Sequence, residues 1–190
     1  MARTGPPTIS NLPSTFPALD EAPLTVYLLV ELMTTSLLET AIQIAVQAHA
    51  GQKQKNGQPY ILHPLRVMAR VRTEEEQIVA ILHDVVEDTP WTPEQLKSRG
   101  FPPHILHALD CVTKRQGERY DDFVTRSASD PIALPVKLAD LEDNMDVRRL
   151  PDIMPKDEER LKKYLAAYKR LSAHLHASGS EAVELKELAR

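Results

Sequence analysis

The chain has 190 residues, of which 42% are hydrophobic and 26% charged, the proportions of one ordinary globular domain. Lys and Arg total 23 against 27 Asp and Glu, and a net charge of −4 disfavours general nucleic-acid binding, which draws on a basic surplus. The single Cys111 excludes an internal disulfide and a cysteine zinc finger, and it fits a reducing, cytoplasmic setting.

Residues 1–23 carry Pro6, Pro7, Pro13, Pro17 and Pro23 among Ser and Thr, the composition of a flexible leader ahead of one domain over 24–190. No stretch approaches the roughly 18 apolar residues that cross a bilayer, so no membrane role is expected. From Leu24 the pattern turns helical. Leu37, Leu38, Ala41, Ile44, Ala45 and Ala48 recur at three- and four-residue steps, and Gly51 offers a stop. Residues 51–60 are polar, with a turn signal at Asn56-Gly57. Pro64 suits the start of a short helix to Val71.

Thr73 and the acidic run Glu74-Glu75-Glu76 read as a cap and first turn. The helix they open is apolar almost all round, a central helix running unbroken to Thr89-Pro90. Thr92-Pro93 and Pro102-Pro103 open two more. Residues 115–122 read as a charged loop. Asp130-Pro131 opens a helix through Asn144, and a last long helix covers about 156–176, with Leu161, Tyr164, Leu165, Tyr168, Leu171 and Leu175 on one face. Strand alternation is absent, so the fold class is all-α, a bundle of about seven to nine helices.

The chemistry concentrates in His83-Asp84-Val85-Val86-Glu87-Asp88. Ionised carboxylates in an apolar helix are costly unless paired or bound to a metal. By the i, i+4 rule His83 shares a face with Glu87, and Asp84 with Asp88. An imidazole and three carboxylates with no Lys or Arg between them call for a cation. The apolar helical end at His49 and the run Val136-Lys137-Leu138-Ala139-Asp140 pose the same contradiction. Two His and two Asp form a nitrogen and oxygen donor set without thiolate, suited to Mn²⁺, Fe²⁺ or Zn²⁺. A water on such a metal is acidic enough to attack phosphorus.

The order His…His-Asp…Asp resembles the HD superfamily of metal-dependent phosphohydrolases. Ala48-His49-Ala50-Gly51-Gln52 followed by Lys55-Asn56-Gly57-Gln58-Pro59-Tyr60-Ile61-Leu62-His63-Pro64 is similar to the opening of the RelA/SpoT hydrolase domain. Leu82-His83-Asp84-Val85-Val86-Glu87-Asp88-Thr89 is similar to its central motif. Val112-Thr113-Lys114 and Lys137-Leu138-Ala139-Asp140, with Asn144-Met145, resemble two more.

That resemblance implies an HD-domain helical bundle, a small alarmone hydrolase. It would remove the 3′-pyrophosphate of guanosine tetra- or pentaphosphate with Mn²⁺. His49, His83, Asp84 and Asp140 would hold the metal, and Glu87 and Asp88 would position or deprotonate the attacking water. Spacing alone leaves His49 and His63 open as ligands; the family pattern puts His49 on the metal and His63 behind it. Lys55, Asn144, Arg160 and Tyr164 would meet the nucleotide, and Lys137 would give electrostatic support. For Tyr164 a core position on an amphipathic helix is the competing reading.

Three positions depart from the pattern. Gln54 stands where many members have Arg, Leu141 where long members have Arg, and Asp143 where they have His. Two other functions compete: an HD phosphohydrolase for NADPH or a nucleoside monophosphate, and a non-catalytic alarmone sensor.

Overall fold

A computed structural model describes residues 35–150 and 152–188, with side chains to 177. The expected leader 1–23 and the helical run from Leu24 lie outside the described residues. From Ser36 on, the chain forms one unit. It is helical, and among the described residues strand-like pairing is limited to one bridge, Lys53 with Pro59.

The first helix, α1 (Leu37–Ala48), begins with a capping box: the Ser36 hydroxyl accepts from the Glu39 N–H and the Glu39 carboxylate from the Ser36 N–H. It ends before Gly51, whose φ of 78° is a left-handed conformation that favours glycine. The polar stretch then folds as a small hairpin. Gln54 N–H donates to Gln58 O and Tyr60 N–H to Gln52 O, both at 2.9 Å, around Gly57 at φ 79°. This hairpin delivers Tyr60 and α2 (Leu62–Met68) to the centre of the molecule.

Thr73 caps α3 (Glu74–Leu82) through a capping box with Glu76. The helix does not run unbroken to Thr89. It ends at Leu82, and α4 (Val85–Asp88) starts after a turn at His83 and Asp84. The break has a local cause. Asp84 sits at φ −96°, ψ −5°, and the His83 side chain, through Nδ1, takes the Ala80 carbonyl at 2.7 Å. Asp88 N–H still reaches Asp84 O at 2.9 Å, so those two carboxylates share a face as expected.

Thr92 caps α5 (Pro93–Ser98), and α6 (Pro103–Val112) follows its Pro pair. The charged loop is shorter than expected, because α7 (Tyr120–Ala128) begins inside it. Its mean hydropathy is low, and only Phe123, Val124 and Ser127 are buried, so sequence pattern alone gives little sign of it. α8 (Ala133–Asn144) is buried almost all round. A 3₁₀ turn (Val147–Arg149) leads on to α9 (Pro155–Leu188).

The apolar core has two parts, and α8 belongs to both. Ala133, Val136 and Ala139 face a core built with α1, α3 and α6. Leu134, Leu138 and Leu141 face a second core against Val124 of α7 and Ala167 and Leu171 of α9. The α9 stripe therefore runs through Tyr164, Ala167, Tyr168 and Leu171, whereas Leu165 and Leu175 are 45% and 43% exposed. The expected stripe is too wide by those two leucines. Leu171→Ala is expected to lower the unfolding free energy in urea by about 2–5 kcal/mol. Leu175→Ala should change it by no more than about 0.5 kcal/mol.

Candidate functional site

The turn between α3 and α4 turns His83 toward α8. With its Nδ1 donating to Ala80 O, the ring would present its Nε2 lone pair once it loses its proton. That Nε2 is buried, has no hydrogen-bond partner, and lies 3.1 Å from Asp84 Oδ2 and 3.6 Å from Asp140 Oδ1. His63 arrives from α2 in the same attitude. Its Nδ1 bonds Asp143 Oδ2 at 2.7 Å, and its Nε2 lies 3.3 Å from Asp140 Oδ1 and 3.6 Å from Asp84 Oδ2. Two imidazole nitrogens thus face two carboxylates in a buried space, and His63, His83 and Asp140 bring their donor atoms within 4.8 Å of one another.

Here the structure departs from the expected ligand set. His49 does not join this group. Its Nδ1 bonds Gln52 Oε1 at 2.9 Å, and its ring lies 4.9 Å from that of Tyr60. Gln52 in turn donates to Asp88 O, so His49 braces the hairpin and the end of α4. His63 takes the place expected of it because the first turn of α2 points it at Asp140. Asp84 stands at the rim, held by the Tyr60 hydroxyl, which donates at 2.6 Å.

The charges respond to this crowding. Burial works against the charged form of His83, but Asp84 and Asp140 outweigh it and hold its pKa well above the usual histidine value. For His63 burial is again outweighed, by Asp140 and Asp143, and its pKa is raised. Burial would raise Asp84, yet His83 brings it down to about 2. The Asp140 pKa also falls, against its burial, through Lys137 and the two imidazoles. Lys137 Nζ donates to Asp140 Oδ2 at 2.8 Å and Asn144 Nδ2 to Oδ1 at 2.5 Å, so both lock the carboxylate in place. A group of paired imidazoles and carboxylates in this ionisation state is one into which a divalent cation fits by displacing protons.

Two cavities open from the group, and both are lined by Tyr60, His63 and Asn144. One, of about 280 Å³, contains His83, Asp84 and Asp140, and adds Glu87, Lys114, Tyr120, Lys163 and Tyr164. Glu87 is anchored there by accepting from Lys114 N–H at 2.9 Å, and burial raises its pKa despite that bond. Asp88 is also raised by burial and by Asp84, and its Oδ2 lies 3.5 Å from the Tyr60 hydroxyl. The other cavity, of about 230 Å³, carries Lys53, Lys55, Arg149 and Arg160. Lys55 and Arg160 share Asp157, at 2.7 and 3.4 Å.

Tyr164 lines the cleft and also packs on the second core. Arg149 and Tyr120 escape a reading of the sequence. Arg149 Nη1 donates to Gln54 Oε1 at 2.9 Å, bringing a guanidinium to the position where many family members have Arg. No local pattern announces a contact spanning 95 residues. Among the described residues no helix is long and apolar enough to cross a membrane.

The family described as "HD domain" matches residues 41–130. The guanosine-3′,5′-bis(diphosphate) 3′-pyrophosphohydrolase of Aquifex aeolicus is 36% identical over 120 residues, 57% of this chain and 17% of that protein. Over this region the chain is similar to RelA/SpoT-type HD-domain proteins. A GTP pyrophosphokinase of Streptomyces coelicolor is 35% identical over 173 residues, 84% of this chain and 20% of its own. The Escherichia coli bifunctional (p)ppGpp synthase/hydrolase SpoT is 30% identical over 167 residues, 80% of this chain and 23% of its own. The chain thus spans about a fifth of the length of these RelA/SpoT-type relatives. A solved structure of a metazoan SpoT ortholog shares the fold, with a TM-score of 0.59 at 22% identity over 76% of this chain and 97% of that one.

Asp143 holds His63 from behind, as carboxylates commonly do for metal-ligating imidazoles. Asp143→Asn should weaken divalent-metal binding to the metal-stripped protein about 10- to 100-fold in calorimetry. Because His63 and His83 must shed protons to bind, wild-type affinity should rise between about pH 6 and pH 8.

Proposed function

We propose that the chain hydrolyses the 3′-pyrophosphate of guanosine tetra- and pentaphosphate in a metal-dependent reaction, with Mn²⁺ as the metal. The observation that carries this reading is the convergence of two imidazole Nε2 atoms and two carboxylates beside Glu87, flanked by a cavity rich in cations. The names of the relatives divide between hydrolysis and GTP pyrophosphorylation. The donor set sides with hydrolysis because two imidazoles and two carboxylates stand beside Glu87, a carboxylate placed to take a proton from water.

His63, His83, Asp84 and Asp140 would hold the metal, with His49 supporting Tyr60 and Gln52 from outside. When bound, a divalent cation neutralises charge on the phosphoryl oxygens and makes a nearby water more acidic. Glu87 takes the proton of the attacking water, helped by a pKa that burial raises. Asp88, tied through Tyr60 to Asp84, helps position that water. The water oxygen bonds to the phosphorus next to the ribose, the bond from that phosphorus to the 3′-oxygen breaks, and the 3′-oxygen takes a proton from solvent. Pyrophosphate leaves, with GDP or GTP as the other product.

Glu87 and Asp84 line the 280 Å³ cleft and not the basic cavity, so the reacting diphosphate occupies the cleft. The rest of the nucleotide then extends past Asn144 toward Lys55, Arg149 and Arg160. Such a substrate belongs to the cytoplasm, which agrees with the single buried cysteine.

The test is hydrolysis of ppGpp by metal-stripped protein with and without added Mn²⁺, with products resolved. Mn²⁺-dependent GDP and pyrophosphate are expected, abolished in Asp84→Ala. Glu87→Gln should lower kcat about 10²- to 10⁴-fold. Binding of ppGpp without turnover would return the alarmone-sensor reading, and turnover only of NADPH or nucleoside monophosphates would replace the substrate.

A further inference from the structure

The cleft has an edge that none of the steps above uses. Tyr120, at the start of α7, presents a hydroxyl that is buried without a hydrogen-bond partner. An unsatisfied buried hydroxyl costs about 1–3 kcal/mol, so one retained at a cavity wall points to a ligand that satisfies it. Burial pushes the Tyr120 pKa up to about 12, which leaves the group a proton donor in neutral solution.

Lys163 stands beside it on α9. Its ammonium lies 4.4 Å from the centre of the Tyr120 ring and 5.4 Å from that of Tyr164. Among the described residues Lys163 forms no ion pair, whereas the buried lysine of this cleft, Lys137, is committed to Asp140. The two tyrosine rings hold the Lys163 charge at the cleft without neutralising it, as cation–π contacts do. A phenol donor and an uncompensated ammonium on one wall make an anion site, and it lies in the cleft that holds Glu87 rather than in the basic cavity.

We propose that Tyr120 and Lys163 bind the terminal phosphate of the diphosphate group that is cut, and retain the released pyrophosphate after the bond to ribose has broken. This rests on the hydrolase reading above. The cations of the molecule then fall into two sets. Lys55, Arg149 and Arg160 serve the nucleotide that stays whole, and Lys163 with Tyr120 serves the diphosphate that departs. The two sets contact different products, so inhibition by each product separates them.

The experiment uses the Mn²⁺-loaded full chain at fixed free Mn²⁺. Inhibition of ppGpp hydrolysis by inorganic pyrophosphate and by GDP is measured for wild type, Tyr120→Phe and Lys163→Met. Tyr120→Phe keeps the ring and removes only the hydroxyl, and Lys163 is exposed, so both variants should fold; thermal melts check it. The pyrophosphate inhibition constant is expected to rise about tenfold in each variant, the loss of one charge-assisted hydrogen bond, with the GDP constant within about twofold. Constants that do not move, or that move together for both products, overturn the proposal. If wild type hydrolyses no ppGpp, the activity reading fails by itself. Calorimetric titration of the same three proteins with pyrophosphate then decides the site: tenfold weaker binding in the variants sustains it and equal binding overturns it.

Discussion

Helix α8 has no face turned fully to water, and it carries Lys137, Asp140 and Asp143 inward. Ions removed from water carry a penalty of several kcal/mol each unless partners repay it, and that requirement organises the molecule around α8. Asp140 is answered by Lys137, Asn144, His63 and His83. Asp143, with no solvent exposure, is answered by His63, Arg66, Arg70 and Arg149. His63 is common to both sets. Each of its nitrogens faces one of the two α8 carboxylates, so this one imidazole, with Arg66 beside it, fastens α2 to α8.

The same fastening explains the break between α3 and α4. The turn gives up helical regularity to bring His83 and Asp84 to Asp140 together, with His83 Nδ1 taking the carbonyl of Ala80 as its own anchor. Residues at a site that serves chemistry commonly set aside local helical preference in this way. Tyr60, delivered by the hairpin, closes the group by holding Asp84.

The bundle is legible in the sequence because capping boxes, proline starts and three- and four-residue apolar spacing are local signals. Ser36, Thr73, Thr92 and the Pro102-Pro103 pair each open a helix. α7 is not legible, because it is short and polar, with buried residues at only Phe123, Val124 and Ser127. The site is legible in its motifs and illegible in its choice of histidine. His49 and His63 both lie in motifs of equal sharpness, and only the packing of α2 on α8 brings His63, and not His49, into the group with His83 and Asp140. Arg149 and Tyr120 reach the two cavities from a 3₁₀ turn and from α7, elements whose place depends on tertiary contacts.

Leu141 and Asp143 stand on different faces of α8. A charged group at 141 would enter the second core, where Leu141 is 1% exposed and packs with Leu171 on α9. Leucine there commits that face of α8 to apolar packing. A charge stands instead at 143, two residues on, on the face turned to α2. An aspartate at that point draws in Arg66, Arg70 and Arg149, and through Arg149 it reaches Gln54 at the mouth of the basic cavity. More guanidinium than carboxylate gathers at Asp143, and the surplus positive charge lies next to the cavity assigned to the nucleotide.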